Sequence, residues 1–580
     1  MKEPFLATTA LEEFWDKSKP VLFLAEWCRS NRWNTPVEFE EAGTVPCPWT
    51  NSDEIEKGYA AIEAASEWLL PLLARRLNEI HGTAFSVRYW RITAGLWLLW
   101  YVSVVYDRYR RVDVAFRVHP ELSTLGLSFD SFVVPRDTLD FIQHVKGDGY
   151  NLQLVTRIME ALGHEMPRKR YSFASERFTS TVPPSLARRL VKHALRIQER
   201  FAPVIIKDSY LPSLADEFYV MTRSHGRVAI NRAPVDVSSV ATDEAMRASL
   251  NGIVDAKESD PFRRLLGRVL PADLPKSYLE GYSAIRTAAE RHYPAKPKAI
   301  FSANAWYFDE PFKHWAAQAA DKGVFLAGAQ HGGNYGAFHG MLSHEHEIRI
   351  ADRFYSWGWT GEKVKPFPAT KLARVASLPA DNRAEGILYT TTSTPRFLLQ
   401  LQYSESHWLA YIDWQLRFLR AVGPTLRAHL RARPHREDLG WQYVARWRKE
   451  HPDLAIETWD VPFAKSIANC RVFVCDHIET TFAEALAANK PTVLFYNPEH
   501  RRLKDEAKPH YESLQEAGIL HTTPEAAAVA LENAYEDVEA WWNSPLRQKA
   551  RAAFCRRFAL TDPRAVDLWA REFRGLASAD

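Results

Sequence analysis

The sequence predicts an α/β protein with two Rossmann-like domains facing a central cleft and a helix-rich N-terminal half. Three observations carry that expectation. From residue 386 to 497 short apolar runs alternate with helical patterns, which is how a parallel sheet with crossover helices reads. A similar pair of runs, Ala299 to Ser302 and Val324 to Ala329, precedes it. Several of these runs end in polar turns, where ligands sit at the carboxyl edge of open α/β sheets.

Taken in order, PVLFLA at 20–25 predicts a buried first strand ending at Glu26-Trp27-Cys28-Arg29. A Pro- and Asn-rich loop follows to about residue 52. Ala60, Ile62, Ala65, Leu69 and Leu73 then recur at helical spacing within 53–81. A second helix is expected within 83–118. Its apolar core, Leu96 to Tyr106, is shorter than the roughly 20 residues a bilayer requires and reads as buried. Pro167 to Arg170 reads as an exposed basic linker. Residues 185–200 form an amphipathic basic helix leading into a strand at Val204 to Lys207. Residues 242–292 are helical in pattern, and Phe312 to Lys322 is a helix between the two runs named above. Composition shifts to Pro, Ala, Lys and Asp at 363–383, which divides the chain into 1–375 and 376–580. After it come a strand at Gly386 to Thr390, a helix burying Trp408, Ile412, Leu416 and Leu419, and the Leu430 region. A helix at 440–449, a strand at Leu454 to Glu457 and a helix at 463–469 follow. The strand Val472 to Cys475, a turn, a helix and the strand Thr492 to Tyr496 complete the series. Thr481 and Glu484 have the spacing of a capping box for that helix.

Composition narrows the function. The 74 basic and 71 acidic side chains leave a net charge of +3, without the basic excess of a nucleic-acid binder. Five scattered cysteines with no CxxC pair suit a reducing cytoplasm rather than a disulfide framework. No signal-peptide core is present near Lys2 and Glu3. The chain lacks GxxxxGK[ST], GxGxxG after a strand and GxSxG, which sets aside P-loop, dinucleotide and serine-hydrolase chemistry. The four histidines at 331, 339, 344 and 346 match no zinc spacing, and no metal is expected.

Four constellations remain. Gln330-His331-Gly332-Gly333 follows a strand. Its glycines would admit a ligand close to the backbone, and its histidine can act as base or anion ligand. Arg431, Arg433 and His435 offer forked donors to a phosphate or carboxylate, although a solvated basic loop reads the same way. The hydroxyl-rich turn with Thr391 and Thr392 could hold a phosphate or cap a helix. Asp476, Thr480, Thr481 and Glu484 stand where a strand runs into a helix N-terminus, a natural anion site. An ordinary βαβ unit would look no different.

In that order, QHG, ILYTTT, RPH and D-x-x-x-T-x-x-x-E followed by NKP resemble GT-B transferases of bacterial surface polymers. Two groups share them: teichoic-acid glycerophosphotransferases with CDP-linked donors, and capsule transferases of Kdo or nonulosonic acids with CMP-linked donors. That likeness spans roughly residues 300–500. The segments LATTALEEFWD, FLAEWC and YWRI resemble a family of transferases known from surface-polysaccharide gene clusters, over nearly the whole chain.

The resemblance implies a metal-independent glycosyltransferase without cofactor, taking an acidic sugar from a CMP-linked donor to a glycan or lipid-linked glycan acceptor. It implies a cytoplasmic enzyme, with peripheral contact at the inner membrane as a further expectation. The acceptor would lie on the first domain and the nucleotide on the second. Carried over by position, Arg433 and His435 would meet the donor phosphate, Thr480 and Thr481 would add hydroxyls and helix N–H groups, and Glu484 would hold ribose. The chain reads RPHRED where those groups have a His-Pro pair, which weakens the assignment of His435. His331 would face the cleft as base or donor ligand. Arg29 or Arg91 would pair with the sugar carboxylate. Glu26 is the first candidate for the base at the acceptor hydroxyl, followed by Asp309 and Glu310.

Overall fold

The computed structural model describes residues 3–29, 32–173, 198–377, 385–401 and 405–578. The basic helix expected at 185–200 falls outside them except for its last three residues.

A small parallel sheet opens the chain: β1 (Phe5–Ala7), β2 (Val21–Phe23) and β3 (Glu41–Thr44). Helices α1 (Ser52–His81) and α2 (Val87–Val118) follow, capped by the side chains of Asn51 and Ser86. Leu96 to Val105 of α2 is buried throughout, as its apolar run requires. Among the described residues no helix is long and apolar enough to cross a membrane. The sequence places 167–170 in a linker. Instead β5 (Arg168–Lys169) pairs with β4 (Gly126–Leu127), with the Arg168 guanidinium over the Phe129 ring.

The first large sheet contains β6 (Val204–Lys207), β7 (Val228–Asn231), β8 (Ala299–Ser302), β9 (Phe325–Ala329), β10 (Arg353–Ser356) and β11 (Val364–Pro366). It is all parallel, in the order β11-β10-β9-β8-β6-β7. The second contains β12 (Ile387–Thr390), β13 (Leu430–Arg433), β14 (Ala455–Ile456), β15 (Val472–Cys475), β16 (Thr492–Phe495) and β17 (Leu520–His521). Its order is β14-β13-β12-β15-β16-β17, again all parallel. Helices cover both faces of such sheets, so the central strands read as unbroken apolar runs. Both sheets reverse direction once, between β6 and β8 and between β12 and β15.

One expectation needs correcting here. PVLFLA is the middle strand of the small sheet and no part of the first large one. The division at 375/376 separates the two large sheets, but the last helix, Ala565–Ser578, crosses back. Its Trp569 and Phe573 pack on Phe301 of β8, and Trp569 also meets Tyr355 of β10. Two Rossmann-like sheets with opposed carboxyl edges are the GT-B arrangement that the resemblance implies.

Candidate active site

The two edges meet at the Gln330–Gly333 turn beyond β9 and the Asp476–Thr480 turn beyond β15. Gly333 N–H donates to Thr480 Oγ1 across the interface (2.9 Å). A Cβ on Gly333 would lie 2.5 Å from the Glu479 carbonyl carbon and oxygen, so only glycine fits. The glycine signal is therefore real, but its immediate cause is the other half of the chain. Asn334, with its amide oriented to suit its neighbours, donates to the Ile478 carbonyl and accepts from Arg501 Nη1 (3.1 Å). Arg501 Nη2 also donates to Glu479 Oε1 (3.0 Å), and Thr392 Oγ1 donates to Glu479 Oε2 (3.1 Å).

Several expected ligand residues are engaged within the fold. Gln330 Oε1 accepts from Trp357 N–H and Trp359 Nε1–H (2.8 and 2.9 Å), and its amide donates to the Gly332 carbonyl. Arg433 is buried. Its Nη1 donates to Glu457 (2.6 Å), the Val461 carbonyl and Ser466 Oγ, which corrects its assignment to a donor phosphate. His435 turns back on its own loop, with Nδ1 within 3.1 Å of the Glu437 N–H. Asp476 accepts from Tyr389, Tyr411 and Gln415 (2.7, 2.6 and 3.0 Å). The capping box is also corrected. The Thr480–Ala487 helix has no side-chain cap, Thr481 Oγ1 lies 2.9 Å from His477 Nε2, and Glu484 pairs with Lys371 (2.6 Å). Arg91 forks onto Glu67 (2.5 and 2.6 Å), leaving no fork for a sugar carboxylate. Glu26, in the turn after β2, accepts from Thr44 of β3 (2.8 Å), and Arg29 lies 3.5 Å from both Glu26 and Glu41 of β3. Asp309 caps the Glu310–Ala320 helix and pairs with Lys207 (3.3 Å).

His331 stands at the first sheet's edge. Tyr335 Oη lies 3.1 Å from its Nδ1, and Glu347 Oε1 lies 3.7 Å away. The rings of Tyr210 and Tyr307 flank it at 5.7 and 5.4 Å. Burial lowers the imidazole to about 4, against a hydrogen bond to the Ala303 carbonyl. Burial drives Glu347 well above the carboxylate range despite hydrogen bonds from Tyr335 (2.5 Å) and Tyr307 (3.2 Å). Burial thus disfavours the charged form of both neighbours, and Glu347 Oε1 has no hydrogen-bond partner.

At the second sheet's reversal, between β12 and β15, a small pocket is lined by Thr392, Trp408, Tyr411, His477, His500 and Arg501. His407 and His500 stack there at 4.3 Å, and burial lowers them to about 4 and about 3. Burial opposes a charge on His477, while Cys475 and Asp476 beside it shift the imidazole well above its ordinary range. Thr391 Oγ1, on the turn after β12, is buried without a hydrogen-bond partner. Sequence reasoning missed His407, Tyr411, His500 and Arg501 as site residues. The one available signal was the polar run following the strand Thr492 to Tyr496. Among the described residues no group of three or more His, Cys, Asp or Glu has a metal-holding arrangement.

Residues 4–573 match the model of the LIC12162 family transferases. The chain belongs to that family. No curated protein matches this LIC12162 family transferase. Among solved structures it is similar to MurG of Acinetobacter baumannii, with 12% identity over 64% of this chain and 99% of that one, TM-score 0.32. It is also similar to a UDP-forming trehalose-phosphate synthase of Burkholderia vietnamiensis (12%, 65% and 99%, TM-score 0.35). WaaG, a glycosyltransferase of lipopolysaccharide biosynthesis, is a third (13%, 64% and 100%, TM-score 0.29). Likenesses this distant say nothing of substrate.

Proposed function

We propose that this transferase moves an acidic sugar of the Kdo or nonulosonic-acid type from a CMP-activated donor to a surface-polysaccharide acceptor, on the cytoplasmic side of the membrane. The observation that carries this reading is the pocket at the second sheet's reversal, beside the seam where Gly333 meets Thr480. Trp408 and Tyr411 supply aromatic surface for a base, while His477 and Arg501, the latter exchanging its bond to Glu479, would turn to a phosphate. Thr392 borders it with a hydroxyl. Thr480 and the helix start behind it become available to the phosphate once the Gly332–Gly333 turn withdraws.

In the reaction the acceptor hydroxyl gives its proton to the His331 imidazole at the first sheet's edge, and its oxygen bonds the anomeric carbon. The carbon–oxygen bond to phosphate breaks, and the electron pair leaves with CMP, whose charge Arg501 and His477 meet. Calorimetric titration with CMP, CDP, UDP and GDP tests the donor. CMP is expected to bind tightest, and Trp408→Ala to weaken it. Preference for UDP or GDP overturns the assignment, and tightest binding of CDP favours phosphoglycerol-type transfer. Nucleotide binding without turnover of any CMP-linked acidic sugar favours a non-catalytic scaffold.

A further inference from the structure

A second cavity, about 490 Å³, opens where the first sheet reverses between β6 and β8. That volume is in the range of small-molecule sites. Its walls are Asp208 beyond β6, Asn304 and Phe308 beyond β8, Asp309, and the 234–240 segment with Ser238 and Ser239. We propose that this cavity is a carbohydrate subsite that holds a neutral sugar of the acceptor. The proposal rests on the transferase reading above and adds the acceptor's place and chemical class.

Phe308 carries the first part of the argument. One face of its ring stacks on Trp100 at 6.0 Å, yet the residue remains 37% exposed. An apolar ring left half in water on a cavity wall suits the C–H face of a pyranose.

The polar groups carry the second. Asp309 is paired with Lys207, Glu310 with Lys313 (3.0 Å) and Asp137 with Arg136 (2.9 Å). A carboxylate already paired with a cation still accepts hydrogen bonds from hydroxyls but has little net charge for a free cation. The wall is therefore rich in acceptors and nearly balanced in charge, which suits a polyol better than a metal ion or an amine. Two buried lining groups, Ser277 Oγ and Glu310 Oε2, have no hydrogen-bond partner, and their residues are 2% and 4% exposed.

The backbone carries the third. Asp208 and Tyr210 both adopt left-handed conformations, φ 50° and 54°, which non-glycine residues rarely adopt. This turn sets Asp208 on the cavity wall and the Tyr210 ring beside His331. The cavity and the His331 side of the cleft thus share one turn.

Saturation-transfer NMR on the full chain with methyl β-D-glucopyranoside and methyl β-D-galactopyranoside tests the subsite. Saturation of the ring C–H protons is expected for at least one glycoside. Phe308→Ala should weaken binding up to about tenfold, as loss of an aromatic platform does. Asp208→Asn should weaken it as well. Phe308 is part-exposed, so the variant should fold, and CMP titration on the same sample checks this while leaving the donor pocket's result separate. No saturation transfer from either glycoside, or transfer unchanged in both variants, overturns the subsite even where CMP binds normally. Loss of the glycoside signal in Trp408→Ala but not in Phe308→Ala overturns it in favour of the other pocket.

Discussion

At the first sheet's reversal the turn Asp208–Tyr210 is open to solvent and held in left-handed backbone. At the second sheet's reversal the turn Asp476–Thr480 is tied down by Tyr389, Tyr411 and Gln415 and covered by Gly332 and Gly333. Both lie where ligands bind in α/β sheets. One is an open cavity and the other a nearly filled seam. A conspicuous turn after a strand can therefore serve a ligand or the opposite domain, and only the pairing across the interface tells which.

The largest effect that can break this comparison is expected from Arg433→Ala. Removing one partner of the buried Arg433–Glu457 pair should cost about 3–5 kcal/mol in urea unfolding. Unchanged unfolding together with lost nucleotide binding would return Arg433 to the site. Gly333→Ala should cost about 1–3 kcal/mol, because its Cβ would strike the Glu479 backbone. Small-angle scattering should show the halves parted; an unchanged profile would mean the seam is loose.

The third prediction concerns acid. His331 titrates normally near 6.5 when unfolded and at about 4 when folded. Below pH 6.5 the unfolded chain takes up the proton first, so this site subtracts stability as pH falls and subtracts nothing above that range. His331→Gln should recover on the order of 1–2 kcal/mol at pH 5 relative to pH 8, read from urea midpoints. Equal loss in both proteins would remove burial as the cause. The smallest effect is expected from Glu26→Gln. Its half-exposed contacts to Thr44 and Arg29 predict a change under about 1 kcal/mol and normal turnover. A large fall in kcat would restore Glu26 as the base.

The central strands were legible because burial on both faces leaves runs such as VIIK, AIFS, ILYT and VFVC. The long helices were legible from their spacing and the caps at Asn51 and Ser86. Strand order was not, since β12 pairs with β15 across more than 80 residues, Ile387 opposite Val472. Without that order the two reversals cannot be located, and Asp208, His500 and Arg501 are polar residues like any others. Partners were equally hidden. Arg433 looks like a phosphate ligand until β13 and β14 bring Glu457 beside it. Glu484 looks like a cap until Lys371 arrives from the other half.

The return of the last helix to the first sheet has a mechanical consequence. The chain passes between the halves twice, after the Thr370–Ala376 helix and again near Leu560. On its return the chain is fixed to the first half, since Ala369 N–H donates to the Leu560 carbonyl and Leu560 N–H to that of Trp357 (both 2.9 Å). A return pinned in this way gives the halves a fixed point about which to turn. The Gly333–Thr480 and Lys371–Glu484 contacts are then among the catches that hold the halves closed, and whatever fills either edge works against them.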